Sequence, residues 1–181
     1  EMCIRDSLNS AFTYDSETKR GFSYRQEVLE QYGRFLAMPA LSEYSAKISA
    51  VCEAVSSSEG IVLVYSQYID GGCVPVALAL EEMGLTRSIG DSLMAEPPKM
   101  KGQQFSYAMI TGDPLLSPNN AAEVRKITDG ANADGSLVKV VIISEAGSEG
   151  IDLTNIRQVH IMDPWYNLNR LEQIVGRAVR W

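Results

Sequence analysis

The chain has 181 residues, 45% of them apolar and 22% charged, with a formal net charge of −7. This length suits one compact domain with an extension, and the composition excludes a disordered or fibrous protein. No stretch reaches the ~18 consecutive apolar residues of a membrane span, and no secretory leader pattern stands out, so an intracellular protein (cytoplasmic, nuclear or virion) without a membrane partner is expected.

The first residues, 1–7, show no periodicity and resemble translated sequencing-adaptor peptide, so they are read as a non-native leader. Between residues 24 and 36, Val28, Tyr32, Phe35 and Leu36 recur at helical spacing, and Tyr44, Ile48, Val51 and Val55 do so in the next segment. Pro39 interrupts between them. Residues 8–43 are therefore expected to form a helical linker, or the remnant of a preceding region, ahead of a domain at 44–181.

From Gly60 the pattern changes. Ile61 to Tyr65 is a continuous apolar run rich in β-branched residues, as in a strand buried on both faces. Pro75 opens a helix that stops at Gly84. Residues 88–104, with Pro97-Pro98 and several lysines and glycines, read as an exposed loop. A second strand runs from Phe105 to Ile110 and ends at Thr111-Gly112. Ser117-Pro118 offers a cap and first position for a helix through Val124 and Ile127. Val138 to Ile143 and Gln158 to Met162 are the third and fourth strands. Strands that alternate with helices and are apolar throughout predict an α/β fold, a parallel sheet covered on both faces.

In such a sheet the ligand site lies beyond the carboxyl ends of the strands. That directs attention to Ser66-Gln67, Thr111-Gly112, Ser144 to Asp152, and Asp163 to Asn167. Within 144–152, two glycines three apart can turn backbone N–H groups toward a phosphate, and Asp152 can accept from sugar hydroxyls. An ordinary strand-to-helix turn with a capping Asp explains the same residues.

A last helix from about Asn167 separates its side chains by chemistry. At roughly 100° per residue, Gln173, Arg177 and Arg180 fall within about 60° of one another. Leu168, Leu171, Val175 and Ala178 gather opposite, as a face to be buried. Planar guanidiniums one turn apart can clamp phosphate oxygens bidentately, and Gly176 leaves room for a close neighbour. No G-x-x-x-x-G-K-[ST] loop and no acidic metal-binding cluster accompanies them. The chain thus offers phosphate donors without a means of holding Mg²⁺.

Metal and thiol chemistry are poorly represented. Cys3, Cys52 and Cys73 are odd in number and lack any metal-ligand spacing, so they read as reduced structural thiols. The single histidine, His160, lies inside a strand run, where a core or edge role is expected rather than catalysis or metal binding. The acidic balance means that any contact with nucleic acid must use local donors, or one half of a larger cleft.

Taken in order, Val64-Tyr-Ser-Gln67, Ile110-Thr-Gly112, Ser144-Glu-Ala-Gly-Ser-Glu-Gly-Ile-Asp-Leu153, Asp163-Pro-Trp-Tyr-Asn167 and Gln173-Ile-Val-Gly-Arg-Ala-Val-Arg180 resemble the C-terminal lobe of superfamily 2 helicases. The resemblance covers residues 44–181 and is closest to helicases and transcription-associated ATPases of large DNA viruses and to Swi/Snf-type ATPases. DEAD-box members carry His where Gln173 stands, and often Arg at the position of Glu149.

The resemblance implies a RecA-like lobe, truncated at its C-terminus, that works with an N-terminal lobe of the same full-length chain on DNA or RNA. ATP with Mg²⁺ would be held mainly by that other lobe. Arg180 would be the arginine finger on the transferred phosphoryl group and Arg177 its companion, both catalytic. Gly150, Asp152 and Gln173 would bind ATP. Ser66, Gln67, Thr111, Gly112 and Ser144 would touch the nucleic-acid backbone. The alternatives are a non-catalytic nucleic-acid- or protein-binding module on the same fold and, less well supported, an unrelated small-molecule enzyme, for which no nucleophile and base pair stands out.

Overall fold

The structure, a computed structural model, describes residues 4–99, 105–148, 150–163 and 168–178, with 4–7, 168, 170, 171, 177 and 178 described through their backbone alone. In chain order the elements are α1 (Ile4–Ala11), β1 (Phe12–Asp15), β2 (Arg20–Tyr24), α2 (Gln26–Tyr32), α3 (Leu41–Tyr44), α4 (Ala46–Ser57), β3 (Ile61–Ser66), a π-turn (Ile69–Cys73), α5 (Val74–Glu82), β4 (Thr86–Arg87), β5 (Ser106–Ile110), α6 (Asn120–Ile127), β6 (Val138–Ser144), β7 (Ile156–Ile161) and α7 (Leu168–Ala178).

Five strands form one sheet in the order β4-β5-β6-β3-β7, and every pair in it is parallel. Position in the sheet follows from burial. All six residues of β3 and all seven of β6 are buried, which demands neighbours on both edges and helices on both faces. Strand β7 is mostly half-buried and takes one edge. The two-residue strand β4 takes the other.

Alternate residues divide two cores between the faces. Val62, Val64, Tyr107, Met109, Val140 and Ile142 pack with α4 and α5. Ile61, Leu63, Tyr65, Ala108, Ile110, Val141 and Ile143 pack with Ile127 of α6 and Ile174 of α7. Each Val, Leu, Ile or Met among them contributes about 1.5–3 kcal/mol when fully buried. Helix α4 begins where the Ser45 hydroxyl accepts the Ile48 N–H at 3.3 Å; it buries Ile48, Val51 and Val55 of the expected stripe together with Cys52, whereas Tyr44 lies in α3 and is 49% exposed.

The connection leaving β3 runs to the β4 edge, whereas that leaving the adjacent β6 crosses β3 to reach β7. Neighbouring strands whose connections diverge open a crevice at their carboxyl ends. The expected α/β fold is therefore present.

Four expectations need correction. Residues 24–36 do not form one helix: α2 ends at Tyr32, with Gly33 at φ +64, so Phe35 and Leu36 join the core from beyond its end. Ahead of it lies an antiparallel hairpin, β1–β2, inside the expected helical linker, while α1 spans its boundary with the expected leader. Phe12, Phe22 and Tyr24 of the hairpin are buried in the α4–α5 core.

Secondly, the expected exposed loop turns inward at Leu93 and Met94, while Asp91 and Ala95 on either side are exposed. Leu93 and Met94 are buried because the Glu81 carboxylate accepts both their N–H groups, at 2.8 and 2.7 Å. It also accepts the Tyr107 hydroxyl at 2.6 Å. This segment makes backbone bonds with β2, Phe22 N–H to Leu93 O at 2.9 Å and Ala95 N–H to Phe22 O at 3.0 Å. Thirdly, the cap of α6 is Asn119, whose side chain accepts the Ala122 N–H at 3.0 Å. Ser117 is engaged elsewhere.

Fourthly, among the described side chains of α7 Ile174 is buried and Val175, expected on the buried face, is 36% exposed. The side chains of Leu168, Leu171 and Ala178 lie outside the described residues.

Candidate functional site at the carboxyl-end rim

Each of the strands β3, β5, β6 and β7 is followed at its carboxyl end by, or ends in, a short polar side chain. These four side chains tie the rim together. The Ser66 hydroxyl donates to Asp163 Oδ2 at 2.5 Å and accepts the Tyr68 N–H at 3.2 Å. Asp163 Oδ2 also accepts the Gln67 N–H at 3.2 Å. The loop after β3 is thereby fastened to the end of β7.

Thr111 and Ser117 share a hydroxyl–hydroxyl bond of 2.7 Å, and the Ser117 hydroxyl accepts the Thr111 N–H at 2.9 Å. Ser117 therefore closes the turn after β5 and is not available as a helix cap. Ser144 Oγ accepts the N–H groups of Gly112 at 3.3 Å and Gly147 at 3.1 Å, joining the loops after β5 and β6.

Ser66, Thr111 and Ser144 are between 0% and 1% exposed. Their hydroxyls shape the rim from beneath, while Gln67 is half-buried and Gly112 exposed. Tyr68 stands 58% exposed beside Gln67, its backbone held by the Ser66 contact. Gly147 has no room for a side chain, since a Cβ there would lie 2.0 Å from the Ile110 carbonyl oxygen. That close approach lets the loop after β6 settle against β5. Gly150 instead takes a left-handed φ of +69 with open space around it. Asp152 is exposed.

On α7, Gln173 and Gly176 are exposed and Ile174 is buried, so the polar side of this helix faces away from the sheet. The side chain of Arg177, and Arg180 and Glu149 altogether, lie outside the described residues. The structure brings Ser66 and Gln67 together with Asp163, and Gly112 with Ser144.

Two carboxylates on the rim share one cation. Lys19, from the hairpin turn, lies 2.8 Å from Asp70 Oδ1 and 2.7 Å from Asp113 Oδ2. Partial burial opposes charge on Lys19, but the bonds to Asp113 and Asp70 outweigh it and raise its pKa. Burial likewise opposes charge on Asp113, and the Lys19 bond with the Leu115 N–H outweighs it and lowers its pKa.

Asp163 and Lys19 were not among the residues assigned a role from sequence. A strand-terminal Asp after an apolar run is a signal for the first, whereas nothing local marks the second. His160 lies on the edge strand β7, 3.3 Å from Gln158 Oε1, and burial lowers its pKa. Burial pushes the Cys52 and Cys73 thiols up to about 12, so both are protonated and unreactive. Among the described residues no three His, Cys, Asp or Glu side chains converge as a metal site.

A five-stranded parallel sheet with helices on both faces, and with its polar loops gathered at one edge, is a RecA-like lobe. The chain belongs to the helicase conserved C-terminal domain family, whose model matches residues 46–181. It is 29% identical over 153 residues to a protein of Acanthamoeba polyphaga mimivirus named as an ATP-dependent RNA helicase, covering 81% of this chain and 24% of that protein. It is 27% identical over 204 residues to a termination factor NPH-I homolog of African swine fever virus, covering 98% and 28%. A killer-plasmid helicase of Kluyveromyces lactis is 26% identical over 159 residues, covering 87% and 25%. The chain thus spans about a quarter of the length of these curated relatives.

Proposed function

We propose that this chain is the second lobe of an ATP-dependent nucleic-acid helicase or translocase. The observation that carries the reading is the outward polar side of α7, with Gln173 exposed over a buried Ile174, on the same domain as a rim of interlocked polar loops. The names of the relatives, an RNA helicase and a termination factor, support it.

In this reading Arg177 and Arg180 meet the phosphates of a nucleotide gripped by the N-terminal lobe, which also holds Mg²⁺ with its own carboxylates. Gln173 reaches across to that lobe, and Gly150 and Asp152 face the ribose side. Gln67 and Gly112 meet the backbone of DNA or RNA directly. Ser66, Thr111 and Ser144 hold those loops in register from below. Closure of the two lobes assembles the site, and reopening after hydrolysis moves one lobe along the strand. Such a protein works inside the cell or virion.

The test is ATP turnover. The 181-residue chain by itself is expected to hydrolyse no ATP, whereas the longer protein that contains it should show turnover stimulated by nucleic acid. Robust hydrolysis by the chain alone would overturn the half-site reading. A longer protein that binds nucleic acid without turning over ATP would favour a non-catalytic binding module.

A further inference from the structure

The hairpin β1–β2 precedes the residues matched by the family model, yet its turn reaches the carboxyl-end rim of the family domain. Strands β5 and β3 flank β6 in the sheet. Asp113 follows β5 and Asp70 follows β3, and Lys19 binds both. One ammonium therefore links the loops on either side of the central crevice.

Its placement is over-determined. The Asp15 carboxylate accepts the Glu17 N–H at 2.8 Å and the Thr18 hydroxyl at 2.9 Å, which closes the hairpin turn. Lys19 itself has a φ of +50, a conformation a lysine adopts only when its surroundings impose it. Arg20 pairs with Asp91 at 3.1 Å, and β2 bonds the buried segment at Leu93 and Ala95.

A rim carrying Asp70, Asp113 and Asp163 is a poor seat for a polyanion. The Ser66 hydroxyl and the Gln67 N–H are neutral donors that leave the charge of Asp163 in place, and Asp70 and Asp113 add two more. We propose that Lys19 is a built-in countercharge for the nucleic-acid track: it offsets one of the two negative charges of Asp70 and Asp113 at the edge where Gln67 and Gly112 meet the sugar–phosphate backbone. This rests on the reading of the rim given under Proposed function. Lys19 acts here as a positioning and charge-compensating residue and not as a phosphate ligand, because its ammonium is held by two carboxylates.

The experiment uses the longer protein and fluorescently labelled 20-nucleotide single strands of DNA and RNA, titrated at fixed moderate salt. Lys19→Met leaves two uncompensated carboxylates on the rim and is expected to weaken binding by about tenfold or more. Adding Asp70→Asn and Asp113→Asn to that variant removes the repulsion, and affinity should return to within about threefold of the parent. A structural role alone would not produce that recovery.

Asp70→Asn with Asp113→Asn in the presence of Lys19 frees the cation, so binding should tighten about threefold or more. This second variant answers the question even if Lys19→Met fails to fold. Unchanged affinity for either the Lys19 or the double aspartate variant, or no recovery in the triple variant, would overturn the proposal. If the parent protein binds neither strand, the function proposed for the rim fails instead.

Discussion

Replacing Arg180 by alanine in the longer protein is expected to lower kcat for ATP hydrolysis by at least about 10³-fold. A guanidinium acting as a finger is engaged mainly when negative charge spreads over the transferred phosphoryl group. Its loss should therefore lower kcat and kcat/KM together, with little change in nucleotide affinity. Lysine at the same position should recover little, because a point charge does not reproduce the planar fork. Steady-state ATPase measurements at saturating nucleic acid decide the matter. A loss of less than tenfold would remove Arg180 from the chemistry and leave the role open to Arg177. Binding of the nucleic acid itself should be unchanged, which separates this arginine from the rim residues.

The largest expected effect on stability comes from a residue far from any proposed chemistry. Glu81→Ala should destabilise the fold by about 4 kcal/mol, because it strands two backbone N–H groups and a tyrosine hydroxyl. The donors are Leu93, Met94 and Tyr107, all within 2.8 Å of its carboxylate. Burial raises the Glu81 pKa, although these three bonds pull the other way. Since domains are stable by only about 5–15 kcal/mol, such a loss would consume much of the total. Urea unfolding followed by circular dichroism gives the value. A change below about 1 kcal/mol would mean that water replaces the carboxylate as acceptor.

What was readable in the sequence follows physical lines. Strands β3 and β6 stood out because a strand buried on both faces has an unbroken apolar run. The rule for parallel sheets then located the rim loops without any knowledge of their partners. Leu93 and Met94 were misread because what holds them inward is a carboxylate on α5, more than ten positions away, and Pro97-Pro98 nearby suggests a loop. The hairpin was missed because its strands have only four and five residues and its second strand is completed by a distant segment.

Ser117 has every local property of a helix cap, yet its hydroxyl closes the turn at Thr111. The candidate site shows the same division. Ser66, Thr111 and Ser144 were found by position at strand ends, but their inward orientation depends on partners such as Asp163, 97 residues from Ser66. Among the described side chains of α7, Ile174 is buried and Val175 is partly exposed, a distinction that the contacts beneath the helix make and helical spacing alone does not encode.

The paired glutamates of α5 carry a consequence for where this unit can be cut. Glu82 accepts the Tyr24 hydroxyl at 2.7 Å and the Arg34 guanidinium at 3.0 Å, so a buried acid is neutralised by residues upstream of the family-matched segment. Trimming to residues 46–181 would strand that charge in an apolar wall and bare the surface now covered by Phe12, Phe22 and Leu36. Sticky, poorly soluble material would follow. In this protein the packed core extends upstream of the segment that the family model matches.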